Sequence, residues 1–378
     1  MLAPPKHAED LNVLFVSGAE RASDGSRVVR CDYGARQIVL SGGVANVAYV
    51  GDVAAIPAGV NVVVLARCGF THDAVRVVRA ARARRALVCA DHDDRIFTPW
   101  DVAGMGGLRT RALRDRDLAV ETRASLRQHE VLRLLPAMDA TIVSTPGLAD
   151  ELTGLGLRTA VMRNTLDTAR HAPIARPRHS LRRLLFMTGT QTHDADLRVM
   201  EPDVSAFLRR HSDVSLTLLG PVAPPPQLAA LPNVQLQKKL PLDQLYAFVS
   251  SFDACLVPLE NTVFNDCKSA IKFLECGLVS VPVIASPRRE FRELIEHDEN
   301  GILVTEQQGF GVALARLHQS PELLSRIALG AYETVLREHT VESRGDALAN
   351  LLLRLSSERQ FHSPRPLPHL PALGSQLP

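Results

Sequence analysis

The chain has 378 residues, 46% of them apolar and 22% charged, with a formal net charge of +2. That length allows two separately cored domains and the composition excludes a disordered chain. A charge so close to zero argues against a nucleic-acid binder, which must meet many phosphates. Six cysteines, at 31, 68, 89, 255, 267 and 276, form no C-x-x-C pair, as expected for a reducing cytosol. The N-terminus has no apolar h-region and no apolar run approaches the roughly 18 residues of a spanning helix, so a cytoplasmic location is expected.

Residues 1–10 form a polar, proline-containing lead. Apolar runs then alternate with amphipathic stretches. Strands are expected at 11–17, 44–50, 60–66, 86–90, 140–144 and 159–162. Helices are expected at 27–40, 73–85 and 147–155, with a longer arginine-rich helical region ending at Leu135. Alternation of this kind implies parallel βαβ units, so residues 11–167 read as a Rossmann-like, doubly wound α/β domain. Residues 168–180 (TARHAPIARPRHS) carry two prolines and no apolar periodicity, the features of an interdomain linker. The alternation restarts over 181–340, with strands at 183–187, 214–219, 234–237, 255–259, 281–285 and 302–304, giving a second Rossmann-like domain. A C-terminal helix follows at 341–357, then a proline-bearing tail at 358–378 expected to lack a core.

The stretch 265–286 (NDCKSAIKFLECGLVSVPVIAS) is the most informative. At about 100° per residue, Lys268, Ser269, Lys272, Glu275 and Cys276 fall on one side of a helix and Ala270, Ile271, Phe273, Leu274, Gly277 and Leu278 on the other. The helix would start beside the carboxyl end of a buried strand, where α/β sheets bind ligands. Two lysines and a carboxylate there suit a phosphorylated ligand with a ribose; a solvated face with an i,i+4 lysine pair carries comparable weight. A second candidate loop, 188–194, follows the first strand of the same sheet. Gly189 lets backbone N–H groups approach an anion, and the hydroxyls of Thr190 and Thr192 add donors. The alternative is an ordinary turn with Asp194 capping the next helix. His193 could donate to a phosphate or a sugar hydroxyl, or hold the loop.

Asp91, Asp93 and Asp94 form a hard-oxygen cluster able to take Mg²⁺ or Mn²⁺. They lie in the first domain, away from the expected anion site. The expectation is therefore no metal, with these residues lining the acceptor side of the cleft and Asp94 the candidate catalytic base. The thirteen histidines include no H-x-x-x-H or H-E-x-x-H pair, which disfavours a zinc motif. G-x-S-x-G, G-x-G-x-x-G and the Walker A loop are also absent, which removes support for serine hydrolases, dehydrogenases and NTPases. Five arginines in 73–85 and seven in 107–135 read first as solvated faces. The functional alternative is peripheral docking to anionic lipid headgroups.

These motifs resemble the GT-B-fold glycosyltransferases, and within them the family 4-like bacterial enzymes of surface-polysaccharide assembly. The resemblance rests on T-x-T-H-x-x-D (Thr190, Thr192, His193, Asp196) and on N-x-x-K-S-x-x-K-F-L-E (Asn265, Lys268, Ser269, Lys272, Phe273, Leu274, Glu275). It continues in S-x-P-V-I-A-S (280–286) and in 293–304, where Asp298 stands at a glycine position, and in the first domain in DHDDRIF (91–97) and Ser144-Thr145 with Asn164. It implies two Rossmann-like domains facing a cleft, with a nucleoside-diphosphate sugar as substrate rather than a resident cofactor. Glu275 would take the ribose hydroxyls, and Lys268 and Lys272 the diphosphate. A glycan or lipid-linked hydroxyl would be the acceptor, and transfer would proceed with retention and without metal. Two departures stand out: Cys267 replaces the first acid of the common E-x7-E pattern, and Ser280 a usual glycine. Alternatives on the same fold are a sugar-nucleotide 2-epimerase and a non-catalytic partner subunit.

Overall fold

The computed structural model describes residues 5–19, 24–97, 128–190, 193–305, 308–359 and 364–368. Six parallel strands make the first sheet: β1 (Asn12–Ser17), β2 (Val44–Tyr49), β3 (Val62–Ala66), β4 (Leu87–His92), β5 (Ala140–Val143) and β6 (Thr159–Val161), in the order β2-β1-β3-β4-β5-β6. The second sheet has β7 (Arg183–Met187), β8 (Ser215–Leu219), β9 (Val234–Gln237), β10 (Ala254–Val257), β11 (Val283–Ala285) and β12 (Ile302–Leu303), in the order β12-β11-β10-β7-β8-β9. Central strands such as β3 and β4 are buried at every position, the pattern of a parallel sheet covered on both faces. The α/β class and the two doubly wound sheets are those expected.

Among the described residues, the first-domain helices include α1 (Gly25–Arg27), α2 (Tyr33–Leu40), α3 (His72–Ala83) and α4 (Pro146–Gly154). A π-turn, Val28–Asp32, joins α1 to α2. In the second domain they are α5 (Asp194–Arg210), α6 (Pro226–Ala229), α7 (Leu242–Val249), α8 (Val263–Asp266), α9 (Ile271–Gly277), α10 (Arg289–Leu294), α11 (Phe310–Gln319) and α12 (Pro321–Glu338). The last helix, α13 (Ala347–Glu358), returns to the first domain, where Leu348 and Leu352 join Phe15, Ile38 and Val64 in one core.

Two local expectations need correction. The helix expected from Lys268 begins only at Ile271, because α8 closes at Cys267 and Ala270 has left the helical region (φ −81°, ψ 38°). Lys268 and Ser269 therefore lie on the connection between α8 and α9. Cys276 is fully buried and shares a core with Cys255 and Phe273, so it is no part of a polar stripe. The segment 168–180 is also anchored rather than free. Ile174 N–H donates to Leu278 C=O at 3.0 Å, and the buried Arg178 guanidinium donates to the carbonyls of Ser250, Val279 and Ser280 at 2.9–3.0 Å.

The arginine-rich helix is less free than its composition suggests. On α3, Arg76 donates to Val53 C=O and Arg82 to Ala137 C=O, leaving Arg79, Arg84 and Arg85 on the exposed side. Most of the second arginine-rich stretch (107–135) lies outside the described residues, which omit 98–127. No helix among the described residues is long and apolar enough to cross a membrane.

Candidate functional site

The order of the second sheet reverses between β7 and β10, and ligands of open α/β sheets bind at such a switch point, outside the carboxyl ends of the strands. The two loops singled out in the sequence leave β7 and β10 at that place. Beside them lies a cavity of about 580 Å³ between the domains. Gly189, Lys272 and Glu275 line it, together with Lys239, Leu242 and Leu245, and with Asp24 and Gly25 from the first domain. Lys239 Nζ donates to Gly189 C=O at 3.3 Å. The lining thus combines a glycine backbone, two ammonium groups, the carboxylates of Glu275 and Asp24, and an apolar floor.

The charges on this wall perturb one another. Burial pushes the Glu275 carboxyl up to about 7, against the pull of Lys272. Lys272 is pushed down by burial and then by Lys268, with Glu275 opposing. Lys268 itself sits over the Phe264 ring at 4.5 Å, a cation–π contact. A dianionic ligand would be favoured beside Lys268 and Lys272, and a diol beside Glu275.

His193 stands at the head of α5, 6% exposed, with Nδ1 2.8 Å from Asp196 Oδ2. Asp196 Oδ1 accepts from Glu260 N–H at 2.8 Å and Asn265 Nδ2 at 2.9 Å. Burial pushes His193 down to about 4, and Lys268 and Lys272 add to the effect. The ring is therefore neutral at pH 7, and because an ionised Asp196 can only accept, the proton sits on Nδ1. Nε2 is left with a lone pair, which accepts from a hydroxyl rather than donating to a phosphate.

The remaining sequence candidates are spread more widely. Thr190 N–H turns back to Thr188 Oγ1 at 3.2 Å, and Thr192 lies outside the described residues. Ser269 Oγ accepts from Asn164 Nδ2 of the first domain at 3.0 Å. Asp94 is half-buried after β4, its Oδ1 accepting from Arg95 N–H at 2.9 Å; it is not on the cavity wall. Asp91 is not a cleft-lining carboxylate. It is 4% exposed and held by Arg30 in a bidentate pair at 2.7 and 2.8 Å. Arg30 Nη1 also reaches Met162 C=O and Asn164 Oδ1, so Arg30–Asn164–Ser269 is a hydrogen-bonded link between the domains. Burial raises Asp93, but Arg67, a hydrogen bond from Ser26 and Arg30 together hold it below the usual carboxylate range. With these two acids neutralised by arginines, the cluster is a poor divalent-cation site.

Cys267, where an acid was expected, is 2% exposed, and its thiol is pushed up by burial to about 12. Its carbonyl accepts from Thr145 Oγ1 at 2.9 Å. A Cβ on Gly147 would come within 2.5 Å of Asp266 O. The N-terminus of α4 is therefore seated directly on this turn. Lys239 and Arg30 escaped the sequence reading. A lysine pair at the end of β9 was the only available signal for the first, and nothing in sequence links Arg30 to Asp91.

Fold and site together define a two-domain α/β protein of the GT-B type, with a nucleotide-sized cleft on the second domain. Residues 203–350 match the family described as glycosyl transferase-like. Residues in a 153-residue segment are 29% identical to the glycosyltransferase 1 domain-containing protein 1 of Xenopus tropicalis; the match spans 39% of this chain and 43% of that protein. The fold resembles that of HepE of Anabaena solved with UDP and glucose, with TM-score 0.60 and 13% identity, covering 90% of this chain and 99% of that one. It also resembles sucrose-phosphate synthase of Thermosynechococcus elongatus, with TM-score 0.56 and 13% identity over 93% and 100% of the two chains. The chain has a GT-B-type fold.

Proposed function

We propose that the protein transfers a sugar from a nucleoside-diphosphate sugar to a hydroxyl of a glycan or lipid-linked acceptor, with retention and without a metal. The observation that carries this reading is that Lys272 and Glu275 line the interdomain cavity together with Gly189 and Lys239. Glu275 takes the ribose hydroxyls. Lys272 and Lys268 neutralise the diphosphate, whose charge grows as the glycosidic bond to the leaving nucleotide breaks. His193 Nε2 accepts a sugar hydroxyl and fixes the donor's orientation. Movement of the first domain, whose Asp24 and Gly25 line the cavity, onto the bound donor would exclude water. UDP and glucose bound in HepE support a uridine donor as the first to try. Exposed Arg79, Arg84 and Arg85 support transient contact with an anionic membrane surface, where a lipid-linked acceptor would be met.

A second reading is favoured by one observation: the turn at Cys267, where an acid is expected, is occupied by the contact with Thr145 and Gly147. In that reading the chain binds the donor but acts as a non-catalytic subunit. Calorimetry with UDP-, GDP- and dTDP-sugars, followed by a product assay with an acceptor panel, separates the two. Binding with turnover supports the transferase, binding alone the subunit, and no binding of any donor sinks both.

A further inference from the structure

The end of the second domain opposite the cleft carries a different chemistry. His211 is the residue that closes α5, Asp213 lies two residues before β8, and His318 is in the last turn of α11. Strands of this sheet are parallel, so this is the edge at which β8 begins, whereas the cavity lies where β7 and β10 end. One ligand atom from each of the three side chains falls within 4.8 Å of the others, and among the described residues no other group of three His, Cys, Asp or Glu does so. His318 Nε2 is 3.7 Å from Asp213 Oδ2. The two imidazole centroids are 4.4 Å apart.

The rings are held in place. Phe207, 2% exposed, stacks on His211 at 4.4 Å and meets His318 edge-on at 5.9 Å. One buried side chain therefore orients both imidazoles. The local field also favours a cation: α5 and α11 both end here, and helix C-termini present carbonyls and the negative end of the dipole. The Asp213 carboxylate is exposed, with Oδ2 facing both Arg182 and His318 Nε2. Its existing partner is Arg182, whose side chain is 54% exposed and free to swing away on its flexible stem.

We propose that His211, Asp213 and His318 bind one divalent transition-metal ion of the zinc class. Two imidazoles and a carboxylate are borderline donors that select Zn²⁺ over Mg²⁺ or Ca²⁺, and three protein ligands leave a fourth position for water. The required contraction is within reach of side-chain rotation: tetrahedral Zn²⁺ with bonds of about 2.0–2.2 Å brings its ligand atoms to roughly 3.4 Å from one another. The bound ion would tie the ends of α5 and α11 together and stiffen the second domain without touching the cleft. Sequence spacing hides this site because His211 and His318 meet only through the packing of α11 on α5.

The test uses the untagged, full-length chain, stripped with a chelator and titrated with Zn²⁺ against a chromophoric competitor, with thermal unfolding in parallel. One equivalent is expected to bind at pH 7.5 and to raise Tm, while Mg²⁺ at the same concentration does neither. The H211A/H318A double variant should lose that equivalent. R182A, which frees Asp213, should bind Zn²⁺ several-fold more tightly, and this arm decides if the double variant fails to fold. Absence of saturable binding, full binding by a folded H211A/H318A chain, or no tightening in R182A would overturn the proposal.

Discussion

Replacing Glu275 by glutamine removes a carboxyl that burial has moved into the physiological range. Its wild-type value of about 7 means that the free protein carries the carboxylate in roughly one molecule in eleven at pH 6 and ten in eleven at pH 8. If only the ionised form accepts the ribose hydroxyls, donor affinity rises about tenfold over that interval, or about 1.4 kcal/mol. The fold responds in the opposite sense. A carboxyl whose folded pKa is raised contributes stability that is full below its ordinary value near 4.5, and that contribution is lost as pH rises through about 7. Ligand binding and stability should therefore trend in opposite directions with pH.

Isothermal calorimetry with a UDP-sugar at pH 6, 7 and 8 reads the effect. A nucleotide sugar is the better probe because its diphosphate is esterified at both ends and does not titrate in this window, unlike the terminal phosphate of UDP. His193 does not interfere, since burial has already taken it down to about 4. Glu275→Gln should show weaker and pH-independent binding. A wild-type affinity that is flat from pH 6 to 8, or a Glu275→Gln variant with the wild-type slope, would refute the assignment of Glu275 to the ribose.

Four further outcomes follow from the same geometry. Lys272→Ala and Lys239→Ala should each weaken donor binding about 10- to 100-fold, the worth of a charged hydrogen bond of ~1.5–3 kcal/mol, and equal affinities for wild type and both variants by calorimetry would exclude a diphosphate contact. Arg30→Met leaves Asp91 buried and unpaired, so urea unfolding should show a loss of about 3–5 kcal/mol, largely restored when Asp91→Leu is added. Ser280→Ala should cost about 1–3 kcal/mol, because Ser280 Oγ donates to Ile174 C=O at 2.7 Å and accepts from Arg176 N–H at 3.1 Å. Ser280→Gly should cost less in the same unfolding assay, since Ser280 sits at φ +53° and glycine removes a left-handed strain of about 1–2 kcal/mol.

What the sequence disclosed was governed by range. Strands buried on both faces leave a short apolar run whatever surrounds them, so all six expected strands of each sheet appear within a few residues. The two candidate loops could be placed for the same reason: residues just after the parallel strands β7 and β10 fall at one edge of the sheet by topology alone. Helix periodicity was less faithful. It assigned Lys268, Ser269 and Cys276 to one polar stripe, but contacts from Asn164 and Thr145, more than a hundred residues earlier, hold the chain out of a helix until Ile271. Asp91 failed for a related reason. A run of acids looks like a metal or cleft cluster until Arg30 closes on one of them from a distant turn.

The departures from the family pattern also have local physical accounts. A glycine is usual at 280 because the backbone there is left-handed, and Asp298, at another glycine position, has φ +66°. Both residues retain the conformation and add bonds that glycine lacks: Ser280 clamps the interdomain segment at Ile174 and Arg176, and the Asp298 carboxylate takes Arg316 at 2.7 Å. Cys267 is different, because what is lost there is an acid and what replaces it is a contact. Its turn is pinned by Thr145 while Gly147 leaves no room for a side chain against Asp266. Gly147→Ala tests whether that contact sets the cleft. The added methyl, 2.5 Å from Asp266 O, must push α4 away from α8, loosening the seat of Cys267 and shifting the start of α9 with Lys272 and Glu275 on it. Donor affinity should then fall together with stability, although residue 147 lies on the first domain, outside the cavity lining. A Gly147→Ala protein that unfolds more easily yet binds the donor as wild type would mean that the domain contact and the nucleotide wall are mechanically separate.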